Sequence, residues 1–148
     1  MRANPHRRTA EQIYLFVQHL GRRLRDVDRD LGVSPTRFSA LAGLAFEGPG
    51  NVGDLAAFER VSRPSMTRLV RDMERDGLVL RLPDPDDGRG VRVRITEKGR
   101  ALVEAVRARK IALVEVHLRG LEPQALTAIG SSFAALDELA EPREETDA

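Results

Sequence analysis

Residues 51–95 read NVGDLAAFERVSRPSMTRLVRDMERDGLVLRLPDPDDGRGVRVRI. Asn51 is placed to cap a short helix in which Val52, Leu55, Ala56 and Phe58 point inward. Glu59-Arg60-Val61 makes a tight connection, and Ser62 caps a second helix running to about Asp76. Gly77 follows where a helix ends in a left-handed residue. Leu78 to Leu82 is a strand-like run. Pro83-Asp84-Pro85-Asp86-Asp87-Gly88-Arg89-Gly90 has the residues of a loop, and Val91-Arg92-Val93-Arg94-Ile95 alternates as a strand with one buried face. Two short helices around a tight turn, followed by a hairpin, describe a winged helix-turn-helix. Its second helix is the one expected to enter a DNA major groove.

On a wheel of 100° per residue, Met66, Leu69, Val70 and Met73 share one arc and should face the core. Pro64, Thr67, Arg68, Arg71 and Arg75 share the opposite arc, with no acid among them. Guanidinium forks and hydroxyls on one exposed arc suit phosphate and base edges. The candidate DNA contacts are therefore Ser62, Arg63, Pro64, Ser65, Thr67, Arg68 and Arg71. Arg89, between two glycines at the loop tip, is free to enter a narrow minor groove, where negative potential is enhanced. Asp86 or Asp87 is placed to fold back and brace the loop. The competing reading is a solvated helix face and an acidic loop with one incidental arginine.

Working outward, Thr9-Ala10-Glu11-Gln12 fits a capping box. Ile13, Phe16/Val17, Leu20, Leu24, Val27 and Leu31 then recur at helical spacing up to Gly32. Ser34-Pro35 opens a helix with Phe38, Leu41, Ala42, Leu44 and Ala45 on its apolar side, stopped by Glu47-Gly48-Pro49-Gly50. Thr96 caps a long helix to about Leu118. Pro123 opens the last, with Leu126, Ile129, Phe133, Leu136 and Ala140 in register. The fold class expected is mainly α with a small β-hairpin wing: a winged helix-turn-helix at residues 34–96 flanked by helical dimerisation segments at 1–33 and 97–148. The seams Ile13, Val17, Leu20 and Leu126, Ile129, Phe133, Leu136 are too apolar to stay wet, since each such side chain gains ~1.5–3 kcal/mol on full burial. A homodimer would bury them and double the phosphate contacts.

Composition narrows the function. The chain has 148 residues, 41% hydrophobic and 32% charged, with no cysteine, so disulfides and thiolate metal sites are excluded. His6, His19 and His117 are far apart, and no metal or cofactor is expected. No apolar run suits a signal peptide or a membrane span, so a cytoplasmic protein without membrane contact is expected. Net charge is +1, but residues 60–94 carry +3 and residues 95–148 carry −3, a polarised surface with a basic middle. Only Lys98 and Lys110 are lysines; a GC-rich genome accounts for most of that bias. No catalytic Ser/His/Asp set, metal spacing, phosphate-binding glycine motif or paired carboxylates occur, so an enzyme is not expected.

Asn51-Val52-Gly53-Asp54-Leu55-Ala56, Val61 to Val70 and Glu74 to Val79, followed by Asp87-Gly88-Arg89 and Thr96-Glu97-Lys98-Gly99, resemble the MarR family (multiple antibiotic resistance regulators). The resemblance spans Thr9 to Ala140. It implies a homodimer joined by terminal helices, a wing arginine at Arg89 in the minor groove and Asp87 as its brace. It implies transcription regulation on palindromic double-stranded DNA, as a repressor or an activator with repressor the reading preferred, relieved by a small aromatic or anionic effector bound between lobes. Tyr14, Phe16, His19, Phe38 and Arg107 are residues of the kind that line such a cleft. The reading from another class is a winged-helix protein-interaction module without sequence-specific DNA binding.

Overall fold

A computed structural model describes residues 4–84 and 90–140. Helix α1 spans Pro5–Asp30, starting earlier than the capping box at Thr9 suggested. Asn4 accepts the His6 amide at 3.0 Å and Pro5 supplies a first helical residue with no amide to satisfy. Thr9 instead lies within the first turns, its hydroxyl donating to Pro5 O at 3.0 Å. Helix α2, Pro35–Phe46, is capped by Ser34 as expected, with Ser34 Oγ accepting the Arg37 amide at 3.2 Å.

A strand β1 of two residues, Gly50–Asn51, precedes helix α3, Val52–Phe58. It was absent from the sequence reading because two residues carry no alternation. Asn51 also caps α3, its Oδ1 accepting the Asp54 amide at 2.9 Å. Arg60, at φ 52°, turns the chain into helix α4, Arg63–Arg75, capped by Ser62. Strands β2, Val79–Pro83, and β3, Val91–Ile95, form the hairpin; all pairs are antiparallel and the order is β1-β3-β2. Helices α5, Glu97–Leu118, and α6, Pro123–Ala140, follow. The chain divides into two compact units, Met1–Lys110 and Ile111–Ala148.

The core of the first unit lies between α2, α3, α4, the sheet and the start of α5. Leu41, Leu44, Met66, Val70, Met73, Val79, Val93 and Val103 are fully buried in it. Met66, Val70 and Met73 are the inward arc expected of α4, with Leu69 half-buried beside them.

Two local devices hold α4 at its C-terminal end. The first is Thr96. Its hydroxyl donates to Gly77 O at 2.7 Å and accepts the Gly99 amide at 3.1 Å, while its own amide donates to Leu78 O at 3.0 Å. This draws the first turn of α5 onto the backbone after α4 so closely that a Cβ on Gly99 would lie 2.3 Å from Leu78 O and 2.7 Å from Ile95 Cγ1. The second device is Asp76. Its carboxylate accepts from Arg37 on α2, and its carbonyl accepts from Lys98 Nζ at 2.8 Å. The Arg37 hydrogen bond, aided by the charges of Arg37, Arg75 and Lys98, holds the Asp76 carboxyl below the usual carboxylate range, against a smaller opposing effect of desolvation.

Gly99→Ala should overpack this junction and cost about 1–3 kcal/mol, since the obstructing atoms are backbone and a β-branched side chain. Thermal unfolding measures it, and an unchanged melting temperature contradicts the close packing. Because the folded pKa of Asp76 is depressed, its contribution is present above the unfolded value of about 4 and is lost as pH falls through the lower folded value. The melting temperature of the wild type should therefore drop more steeply between about pH 5 and pH 2 than that of Asp76→Asn. Parallel slopes would show that the Arg37 contact contributes nothing.

Candidate nucleic-acid interface

The outer face of α4 is exposed at Arg63, Pro64, Ser65, Arg68 and Arg71. Arg63, Pro64, Thr67, Arg68 and Arg71 line an open cleft of about 470 Å³ together with Val52 of α3. The Arg63 guanidinium reaches back over the first turn of α3, beside Gly53. Thr67 is half-buried, and its hydroxyl donates to Arg63 O at 2.9 Å, leaving it to act outward as an acceptor. Ser62 Oγ accepts the Ser65 amide at 3.3 Å and lies 2.8 Å from Ser65 Oγ, so these hydroxyls also start the helix. The cleft thus combines apolar lining from Val52 and Pro64 with three arginines.

Acidic side chains on α4 and at its cap are each matched by a cation. Asp72 pairs with Arg75 at 3.0 Å, Glu74 with Arg81 of β2 at 2.7 Å, and Asp76 with Arg37. Arg75, placed on the outer arc by the wheel, is thereby engaged by its own helix. Among the described residues, no carboxylate pairs with Arg63, Arg68 or Arg71. The positive charge of α4 is concentrated where the cleft opens, which is the condition for attracting a polyanion. Arg37 and Arg81 were missed as contributors. Their partners lie 39 and 7 residues away, and charge counting along the chain does not reveal such pairings.

The hairpin ladder runs from Val79↔Ile95 to Pro83↔Val91, and the Asp84 amide donates to Gly90 O at 3.0 Å just beyond it. Asp86, Asp87 and Arg89 lie outside the described residues. Of the seam residues, Ile13 and Leu20 are half-buried, while Val17 is 56% exposed. Leu126, Ile129, Phe133 and Leu136 are all exposed, Phe133 by 53%, and α6 buries none of its residues. The cleft candidates have different settings. Tyr14, Phe16 and His19 are exposed on α1, Phe38 packs against the core, and Arg107 is exposed with Glu104 at 3.7 Å. Among the described residues no helix is long and apolar enough to cross a membrane.

The family model for MarR matches residues 33–91, from just before α2 to the first residue of β3. A helix-turn-helix-type transcriptional regulator of Mycobacterium leprae is 44% identical over 109 residues, covering 73% of this chain and 76% of the relative. The homoprotocatechuate degradative operon repressor of Escherichia coli is 35% identical over 86 residues, 56% of this chain and 58% of the relative. Among solved structures, a MarR family protein from Bacillus stearothermophilus superposes with a TM-score of 0.76 at 28% identity, over 94% of this chain and 100% of that one. A short capped helix, a tight turn, an arginine-faced helix and an antiparallel hairpin are thus found together with this sequence similarity: the chain belongs to the MarR family of winged-helix transcription regulators.

Proposed function

We propose that the chain is a homodimeric repressor that binds a palindromic operator with one α4 helix in each of two successive major grooves. The observation that carries this reading is the trio Arg63, Arg68 and Arg71, without a carboxylate partner among the described residues, on a helix whose acids are matched by Arg37, Arg75 and Arg81. Arg68 and Arg71 project from mid-helix toward base edges or flanking phosphates. Arg63 and the hydroxyls of Ser62 and Ser65 lie at the helix start, nearest a backbone. Arg89 reads the minor groove from the wing with Asp87 as its brace. The repressor reading is supported by the E. coli relative, whose name records a degradative operon repressor.

The dimer rests on α1 and α6, within terminal segments that serve dimerisation while residues 34–96 bind DNA. Ile13-Tyr14-Leu15-Phe16-Val17 is apolar for five consecutive residues, more than one full helical turn. A single flat contact covers only part of such a helix, so this half of α1 is enclosed by partner helices from more than one side. The exposed row Leu126, Ile129, Phe133 and Leu136 on α6 is a second apolar surface that a dimer would cover. A small aromatic or anionic effector that relieves repression fits the aromatic and cationic candidates Tyr14, Phe16, His19, Phe38 and Arg107.

Binding to the selected operator should weaken linearly in log Kd against log salt, by about 0.9 per phosphate neutralised. Arg68→Ala or Arg71→Ala should cost ~1–3 kcal/mol, and at least one should relax preference at particular base pairs. Arg75→Ala should cost less, because Asp72 already neutralises that side chain. A salt-independent affinity, or Arg75→Ala outranking both, is the opposing result, and the former would favour a protein-interaction module. Phe133→Glu or Leu20→Glu should place a charge in the dimer seam. Sedimentation should then show monomer or unfolded chain, whereas two folded dimers would move the interface elsewhere.

A further inference from the structure

Helix α1 is fully buried at only two residues, Val27 and Asp28. One of them is a carboxylate: Asp28 is 3% exposed. Lys110 Nζ, from α5, lies 2.6 Å from Asp28 Oδ1 and 4.1 Å from the centroid of the Phe38 ring on α2. Oδ1 has no well-aligned hydrogen-bond donor, so the ionic contact with the ammonium is what compensates its charge. Phe38 in turn packs against the core of the winged lobe. The buried stripe of α5 runs Gly99, Val103, Val106, and the next position at this spacing is Lys110, itself largely covered. Three helices therefore meet at one charged joint: the last turns of α1, the first of α2 and the end of the α5 stripe.

Packing holds apolar neighbours in place, and a buried charge adds a partner of its own, since removing or misplacing that partner leaves the charge uncompensated. The cation is also the less common type here. Two of the chain's 24 basic residues are lysine, and both place a compact ammonium on an oxygen of a neighbouring element: Lys98 on Asp76 O, and Lys110 on Asp28. A planar guanidinium carries its charge over a wider fork and does not occupy the same space between a carboxylate and a ring face.

We infer that Lys110, held between Asp28 and Phe38, is a positioning residue that fixes how α1 and α5 are set against the winged lobe, and so determines which half-site spacing the dimer accepts. This rests on the reading of a dimer joined through its terminal helices. In such a dimer each recognition helix is placed through these elements, and successive half-sites lie one helical turn of DNA apart. Slack at the joint lets each lobe swing, which leaves the contacts of one half-site intact but tolerates a wrong spacing.

The test uses the full chain, an operator selected from random duplexes by the wild type, and versions of it with one or two base pairs inserted between the half-sites. Wild type should lose about tenfold or more in affinity per insertion, since both recognition helices can no longer dock together. Asp28→Leu/Lys110→Met removes both charges and avoids stranding either one. As a folded dimer by circular dichroism and sedimentation, it should lose about threefold or less. Lys110→Arg keeps the charge but not the shape and should also accept the insertions more readily, which reads the joint even if the double variant fails to fold. Folding stability alone would not move this spacing preference. Wild-type penalties in a folded, dimeric variant overturn the inference and leave the dimer reading intact. A wild type indifferent to spacing overturns the dimer reading and the inference with it.

Discussion

At Leu78 the backbone carbonyl accepts the Thr96 amide while Gly99 packs against it with no room for a side-chain carbon. Four elements are joined there: the end of α4, the start of β2, the end of β3 and the first turn of α5. The recognition helix has its inner side filled by Met66, Val70 and Met73, so it cannot roll without opening the core. Its C-terminal end is held by Gly77, Thr96 and Asp76, so it cannot slide. What remains free is the outer arc, and the helical period dictates which residues that arc contains.

The electrostatics follow from the same placement. Fixing α4 beside α2 and β2 gives Asp76 and Glu74 their partners Arg37 and Arg81. Acids that would repel a phosphate backbone become part of the scaffold's own ion pairs. Each of these pairs is partly exposed and of modest energy alone. Their larger effect is to leave the field of Arg63, Arg68 and Arg71 undiluted. Arg75 illustrates the point from the other side: its position on the wheel is right, but a carboxylate three residues earlier on the same helix occupies it.

Much of this fold is legible in local chemistry. Ser34, Asn51 and Ser62 each cap the helix they precede in the chain, and the inward arc of α4 is the one that periodicity selects. These features depend on neighbours within about one turn, which a linear reading contains. The misses have several causes, and one is local: Phe58, read as inward on α3, is 63% exposed. At the N-terminus two cap signals compete within five residues, and Asn4-Pro5 prevails over Thr9. Strand β1 exists only because β3 is there to pair with it. The Arg37–Asp76 and Asp28–Lys110 contacts join residues far apart in sequence, so they depend on the packing of helices rather than on spacing along one of them. The apolar seams of α1 and α6 were legible as surfaces in need of cover from the helical spacing of Ile13, Val17 and Leu20 and of Leu126, Ile129, Phe133 and Leu136.

Asn51 belongs at once to the sheet and to a helix: it pairs with Arg92 of β3 and caps α3, which packs against α4. The hairpin is therefore hinged to the helix-turn-helix through a strand of two residues and one amide side chain, on the side opposite β2. Mechanically the wing and the recognition helix form a single lever. A displacement of β3 would therefore reach α3 through Asn51 and, through the shared core, α4. Substitutions on the hairpin and on α4 are then coupled through shared neighbours, and their effects on the stability of this lobe will not be additive.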